Sequence, residues 1–379
     1  VNFPEGAGDA LPFVVVGFIV AALISLLVTP VVRDFVGRRG LIDRPDERRV
    51  HRRPLPRGGG VAVVVAFVAV GGAITLFGRD LPGLDAPRPP KDADLMALFI
   101  GGAAAAAIGV LDDLLDLRAR WQLLGQLVVA GIAVAFGVTV TLIANPFAPG
   151  SVGFPEPVAI GFTVLWIVGM INSINFIDGL DGLSSGIAMI AALTLGVLSL
   201  TVNVGQPFVA VLCFVLAGAL LGFLRWNFHP AVVFQGTAGV MFLGYALAVL
   251  SILGTAKVAV AMLVLGVPII DSFWVIVRRV SNGRSPFSPD RGHIHHRLLD
   301  LGLSHRGTVL LIYAICAVLG LTSLVVSAAQ SIYAFLGVGL AFGLVVFFLA
   351  RNPREALEPT SYEETTVVEG HAPAEDGES

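Results

Sequence analysis

Long apolar runs alternate with short polar clusters along the 379 residues. A helix crosses a bilayer with about 20 apolar residues, and runs near that length recur at 12–32, 58–78, 95–111, 121–143, 157–171, 183–202, 207–224, 237–253, 257–277, 308–328 and 331–350. The pattern predicts an all-α polytopic integral membrane protein with about eleven transmembrane helices. The polar clusters fall where these helices end. "LDDLLD" closes the third, "NSINFIDGLDG" joins the fifth and sixth, "RWNFHPAVVFQGTAG" joins the seventh and eighth, and "RRVSNGRSPFSPDRGHIHHRL" joins the ninth and tenth. The first run is expected to stay as an anchor, because a long basic loop follows it and no small-residue cleavage site is present. Residues 1–352 are expected to form one membrane domain, and the acidic stretch 353–379, poor in apolar residues, a disordered cytoplasmic tail.

Charge orients the pattern. Only 13% of residues are charged, about half the share typical of soluble domains. The segment from Arg33 to Arg57 holds nine arginines, and such segments face the cytoplasm. The N-terminus is then outside and the C-terminus cytoplasmic. Alternate threading leaves only Arg79, Arg88, Lys91 and Lys257, of 24 Lys and Arg, on the outer side, and it puts all seven histidines on the inner side together with the polar clusters. An activity at the cytoplasmic face follows, with the lipid bilayer as partner and no nucleic acid. Cys213 and Cys316 fall inside apolar runs, where cysteine packs as a small hydrophobe.

The clusters carry chemistry. Asp112, Asp113 and Asp116 end the third helix at a spacing that places all three near one face, and grouped carboxylates suit a hard cation such as Mg²⁺ or Mn²⁺. In "NSINFIDGLDGL" the polar residues Asn172, Asn175, Asp178 and Asp181 recur every three positions, with Gly179 and Gly182 between them allowing close approach of a ligand. Polar backbone at the membrane edge is tolerated where protein or a water-filled cavity covers it. "DRGHIHHRLL" packs Arg291, His293, His295, His296 and Arg297 into seven residues without a cysteine or acidic partner for zinc, so a phosphate grip fits better. "HRRPLPRGGG" supplies a basic turn and glycines compatible with a backbone cradle for an anionic headgroup. Asp271 is an acid inside an apolar run, functional by default. On residues alone, paired Asp-x-x-Asp also suits an intramembrane prenyltransferase.

"DRPDERRVHRRPLPRGGG", "DDLLDL", "NSINFIDGLDGL", "NFHPAVVFQG" and "PIIDSFWVIVRR" followed by "HIHHRL" resemble, in that order, the motifs of the polyprenyl-phosphate N-acetylhexosamine 1-phosphate transferases, glycosyl transferase family 4. The resemblance covers about residues 12–350. It implies transfer of a sugar 1-phosphate from a UDP-sugar to a polyprenyl phosphate with release of UMP, in the inner membrane of a bacterium, and it admits a homodimer. The "HIHH" form resembles the undecaprenyl-phosphate N-acetylglucosamine branch, which begins cell-envelope glycans such as lipopolysaccharide O-antigen and teichoic acid. By resemblance, Asp112, Asp113, Asp178, Asp181, His293, His295 and His296 are catalytic. His51, Asn172, Asn175, Asn227, Asp271, Arg291 and Arg297 bind substrate, and Asp112, Asp113, Asn172 and Asp178 hold Mg²⁺. Two positions depart from the family pattern: Thr237 stands where relatives carry a metal-binding aspartate, and Gln122 where they carry lysine. These departures make a homologue that binds without turnover the alternative.

Overall fold

The computed structural model describes residue 3 and residues 7–43, 54–78, 81–85, 89–201, 204–253, 257–285 and 292–351, the side chains of 257 and 345–351 excepted. Its helices are α1 (Leu11–Arg38), α2 (Val61–Phe77), α3 (Asp92–Met96), α4 (Gly102–Leu115), α5 (Ala119–Ala135), α6 (Glu156–Ile177), α7 (Leu183–Ser199), α8 (Pro207–Asn227), α9 (Gly236–Ile252), α10 (Lys257–Val264), α11 (Gly266–Ser281), α12 (Ile294–Asp300), α13 (His305–Val325) and α14 (Ala328–Arg351). Two short antiparallel hairpins accompany them, β1 (Ile42–Asp43) with β2 (Leu55–Pro56) and β3 (Leu142–Ala144) with β4 (Ser151–Gly153). One compact unit runs Val1–Gly339, and a second, Leu340–Ser379, contains the end of α14. The predicted tail lies outside the described residues. Among the described residues five helices are long and apolar enough to cross a membrane, or six with one bent pair counted as a span. The chain is an all-α membrane protein.

Helices α8 and α9 form the interior. Every side chain from Ala238 to Ser251 of α9 is buried, whereas α1 and α13 turn large apolar residues such as Leu27 and Leu321 outward, as lipid-facing helices do. Small residues set the crossings. A Cβ at Gly218 or Gly222 of α8 would overlap the Phe18 and Ala22 carbonyls of α1, and one at Gly109 of α4 would overlap the Ala238 backbone of α9. Pro30 inside α1 leaves the Leu26 carbonyl without its helical donor; the Trp226 indole N–H from α8 supplies one at 3.0 Å. Between α3 and α4 a π-helical turn, Ala97–Gly101, accommodates Tyr245, whose hydroxyl donates to the Ala97 carbonyl at 2.7 Å.

Two predicted spans are corrected. The expected helix over 121–143 stops at Ala135: Gly137 takes φ 87°, and the Val138 and Gly137 N–H groups close on Ala133 and Val134 in a Schellman turn. The β-branched residues beyond it lead into the β3–β4 hairpin. The expected helix over 257–277 is broken into α10 and α11, bent by 77°. Pro268 cannot donate to the carbonyl four residues earlier, Val264, which is where α10 ends.

Candidate active site

The polar clusters converge on a cavity of about 310 Å³ lined by Asp43, Arg57, Asp113, Asn175, Asp178, Asp181, Asn227, Thr237, His296 and His305, among others. Asp113 enters it from the last turn of α4. Its Oδ1 accepts the Thr237 N–H at 2.9 Å and its Oδ2 the Ala238 N–H at 3.2 Å, so the carboxylate sits on the positive end of α9. Arg57 adds its Nε 3.5 Å from Asp113 Oδ1 and donates Nη2 to the Asp113 carbonyl at 2.8 Å and to Asp116 Oδ1 at 2.6 Å. Asp178 caps the C-terminus of α6 and accepts from the Ser184 hydroxyl at 2.5 Å. Ser184 and Ser185 also reach Gln235 Oε1 at 2.8 and 2.6 Å, and Ser185 reaches Asn227 Oδ1 at 2.9 Å. A buried hydroxyl–amide network therefore backs the acidic wall.

A second cavity, of about 360 Å³, adjoins the first; the two share Asn175, Asp178, Gly179 and His296. Its lining is amide, imidazole and guanidinium: Gln122, Gln126, Asn172, Arg279, His293, His295 and His296. Gln126 and Asn172 pair, Asn172 Nδ2 donating to Gln126 Oε1 at 2.6 Å. His293 is fixed from behind by Asp271, 1% exposed, whose Oδ2 lies 2.7 Å from His293 Nδ1 and whose Oδ1 accepts the Ile294 N–H at 2.9 Å. His295 is 1% exposed, and neither ring nitrogen has a hydrogen-bond partner among the described residues. Its contact with Gly179 is close enough that a Cβ there would overlap Nε2.

These surroundings set the charges. The Asp178 carboxyl is pushed up to about 7, first by burial and then by the facing carboxylates of Asp113 and Asp181, against the lowering contact from Ser184. Burial, helped by the repulsion of Asp113 and Asp181, thus favours keeping a proton on Asp178. A hard divalent cation relieves that repulsion, and the donors present, carboxylate and carboxamide oxygens, suit it. The residues placed to hold one are Asp113, Asp178, Asp181 and Asn175. His295 is held well below the ordinary imidazole range by burial and by the His296, His293 and His305 rings, so it is neutral and brings no charge to a phosphate.

The predicted residues separate by place. Asp113, Asn175, Asp178, Asp181, Asn227 and His296 reach the acidic cavity, and Asn172, His293 and His295 the second one. Asp112 lines neither: its Oδ1 accepts from Leu117 N–H at 3.1 Å and Gln122 Nε2 at 2.8 Å, holding the α4–α5 turn. Asp116 does not share their helical face, because the helix ends at Leu115 and Asp116 takes a left-handed φ of 45°. Arg297 donates to the Gly292 carbonyl at 3.2 Å and lines neither cavity. His51 and Arg291 lie outside the described residues. Within the glycine run, Gly59 and Gly60 give their N–H groups to the Phe234 and Gln235 carbonyls at 2.9 and 2.8 Å, so these two amides are not offered to an anion. Sequence reasoning missed Asp43, Arg57, Gln126, Ser184, Ser185, Gln235 and Arg279. Arg57 is one basic residue among many that topology alone explains, and the serines carry no charge to mark them in an apolar run.

The profile of glycosyl transferase family 4 matches residues 95–255, which include Asp113, Asn175, Asp178, Asp181, Asn227 and Thr237 of the acidic cavity. A "Probable undecaprenyl-phosphate N-acetylglucosaminyl 1-phosphate transferase" of Bacillus subtilis is 36% identical over 88% of this chain and 90% of its own length. The chain belongs to glycosyl transferase family 4. Among other relatives of this family-4 protein are a "Decaprenyl-phosphate N-acetylglucosaminephosphotransferase" of Mycolicibacterium smegmatis, 34% identical over 93% of each chain, and an "Undecaprenyl-phosphate alpha-N-acetylglucosaminyl 1-phosphate transferase" of Thermotoga maritima, 32% identical over 73% of this chain and 78% of the relative.

Proposed function

We propose that this family-4 protein transfers N-acetylglucosamine 1-phosphate from UDP-N-acetylglucosamine to undecaprenyl phosphate and releases UMP, beginning a lipid-linked cell-envelope glycan. The observation that carries the reading is the meeting of two cavities at Asp178. The reaction needs two phosphorylated substrates held side by side, and the names of the relatives supply the chemistry.

The obstacle is repulsion between a diphosphate and a lipid phosphate. Asp113, Asp178, Asp181 and Asn175 would hold Mg²⁺, or Mn²⁺ in its place, which would supply positive charge against the phosphates. Arg57 at one cavity and Arg279 at the other add fixed positive charge. Asp113, held by two backbone N–H groups, keeps its place when ligands enter. The Asp271–His293 pair fixes the imidazole plane, leaving Nε2 for a phosphate or sugar oxygen. Neutral His295 and the Gln126–Asn172 pair offer donors and acceptors without charge, which suits sugar hydroxyl and acetamido groups. Four acids remain around the first cavity, Asp43 among them, so the reading does not need a carboxylate at Thr237.

In the membrane we assign eleven spans, with the N-terminus outside, both cavities opening to the cytoplasmic face of a bacterial inner membrane, an acidic cytoplasmic tail over 353–379 and a homodimer as the assembly. The test is UMP release by purified protein supplied with UDP-N-acetylglucosamine, undecaprenyl phosphate and Mg²⁺. Release that disappears in Asp178→Asn supports the reading. Absence of release from the wild-type protein, with both substrates bound, overturns it.

A further inference from the structure

Two histidines, His229 within the "NFHPAVVFQG" motif and His305 outside the motifs, grip Asp181 of the acidic wall, one by its carboxylate and the other by its backbone. His229 follows α8 and places Nδ1 2.7 Å from Asp181 Oδ2, the same oxygen that accepts the Ala231 N–H at 3.1 Å. His305, the first residue of α13, accepts the Asp181 backbone N–H on Nε2 at 3.0 Å. The two rings stack, with centroids 4.0 Å apart and planes inclined by 20°. Asp181 Oδ1 has no hydrogen bond among the described residues, and Asp181 lines the acidic cavity.

We propose that His229 and His305 are positioning residues: they clamp Asp181 so that Oδ2 is spent on protein contacts while Oδ1 is presented to the cavity. The tautomers follow from the contacts. His305 receives an N–H on Nε2, so its proton is on Nδ1; His229 donates a hydrogen bond from Nδ1–H to the carboxylate. The clamp also ties the 178–182 turn to α13, where the Tyr313 hydroxyl bonds the Gly182 carbonyl. Because α12, which bears His295 and His296, leads directly into α13, the same contact sets the register between the two cavities. The ligand atoms of Asp181, His229 and His305 lie within 4.8 Å of one another, a spacing a transition metal could use. The lone pair His305 would offer is already taken, however, and the rings lie face to face rather than converging, so the cluster is a clamp.

The activity arm of the test rests on the transferase reading; the exchange arm does not. Full-length protein in detergent would be compared as His305→Gln, which keeps an acceptor, His305→Leu, His229→Asn, which keeps a donor, and His229→Leu. The leucine variants are expected to lose kcat on the order of 10²-fold, as displaced catalytic groups do, with KM for the UDP-sugar within about threefold of wild type. The Gln and Asn variants should recover most of kcat. Amide hydrogen exchange in the peptide spanning 178–183 should quicken in His305→Leu and stay slow in His305→Gln. Should His305→Leu not fold, His305→Asn, too short to reach the amide, takes its place. Leucine variants with kcat within about twofold of wild type, or Gln and Asn variants as impaired as leucine, would overturn the clamp. So would a tetrahedral Co²⁺ absorption band that needs all three residues. Wild-type protein without transfer activity but with the expected exchange pattern would remove the proposed function and leave the clamp standing.

Discussion

Replacing Asp178 by Asn tests the central electrostatic argument, that a buried carboxyl faced by two others is costly to ionise without a cation. The Asp178 carboxyl is raised from 3.8 to about 7, about three units, and at about 1.4 kcal/mol per unit the ceiling on the cost of ionising it in the folded state is about 4 kcal/mol. A folded carboxyl that holds its proton to a higher pH than the unfolded one contributes stability below pH 3.8 that is lost as pH rises to about 7 and changes no further above it. The carboxamide of the Asp178→Asn variant cannot ionise and escapes that loss. With EDTA present, Tm of the variant minus Tm of wild type is therefore expected to grow between pH 5 and 7 and to level off above, whatever other groups titrate. Adding Mg²⁺ should reverse the order at pH 8 by stabilising wild type alone, because cation and proton compete for the same oxygens. Tryptophan fluorescence during heating provides the assay. A Tm difference that is flat with pH, or equal Mg²⁺ stabilisation of both proteins, would refute the reasoning.

Other residues give further expectations. Asp271→Asn weakens the hold on His293 and should lower kcat by about 10²-fold with little change in KM, measured by UMP release; an unchanged kcat would show that the His293 orientation is immaterial. Thr237→Asp adds an anion beside Asp113 at the positive end of α9, and should tighten Mg²⁺ binding by roughly tenfold; calorimetric titration checks it, and unchanged affinity would mean that position 237 does not face the cation. Gly60→Ala drives a Cβ into the Gly239 backbone and should cost about 1–3 kcal/mol, seen as a lower Tm at every pH.

The helical pattern was legible because a bilayer allows few alternatives: apolar backbone must bond to itself, so length and hydropathy alone mark helices such as α1, α8 and α13. The two errors came from local chemistry that hydropathy ignores, the left-handed Gly137 that ends α5 and the imino nitrogen of Pro268 that breaks α10 from α11. The site was legible wherever a polar residue stood in an apolar context, as at Asp113, Asp178 and Asp271. Arg57 and His305 stood in polar segments, where one more cation or imidazole carries no contrast.

By itself, then, the sequence determined the membrane class and the family, since each depends on residue type and order. Only the tertiary structure decided which of two adjacent aspartates faces the cavity. Asp112 and Asp113 are neighbours in sequence, but successive helical residues point about 100° apart, and the approach of α9 makes Asp113 the acceptor for its N-terminal amides while Asp112 turns to Gln122. The clamp on Asp181 has the same origin: its two histidines stand 48 and 124 positions away from it, and only the packing of α8 and α13 beside α7 brings them together.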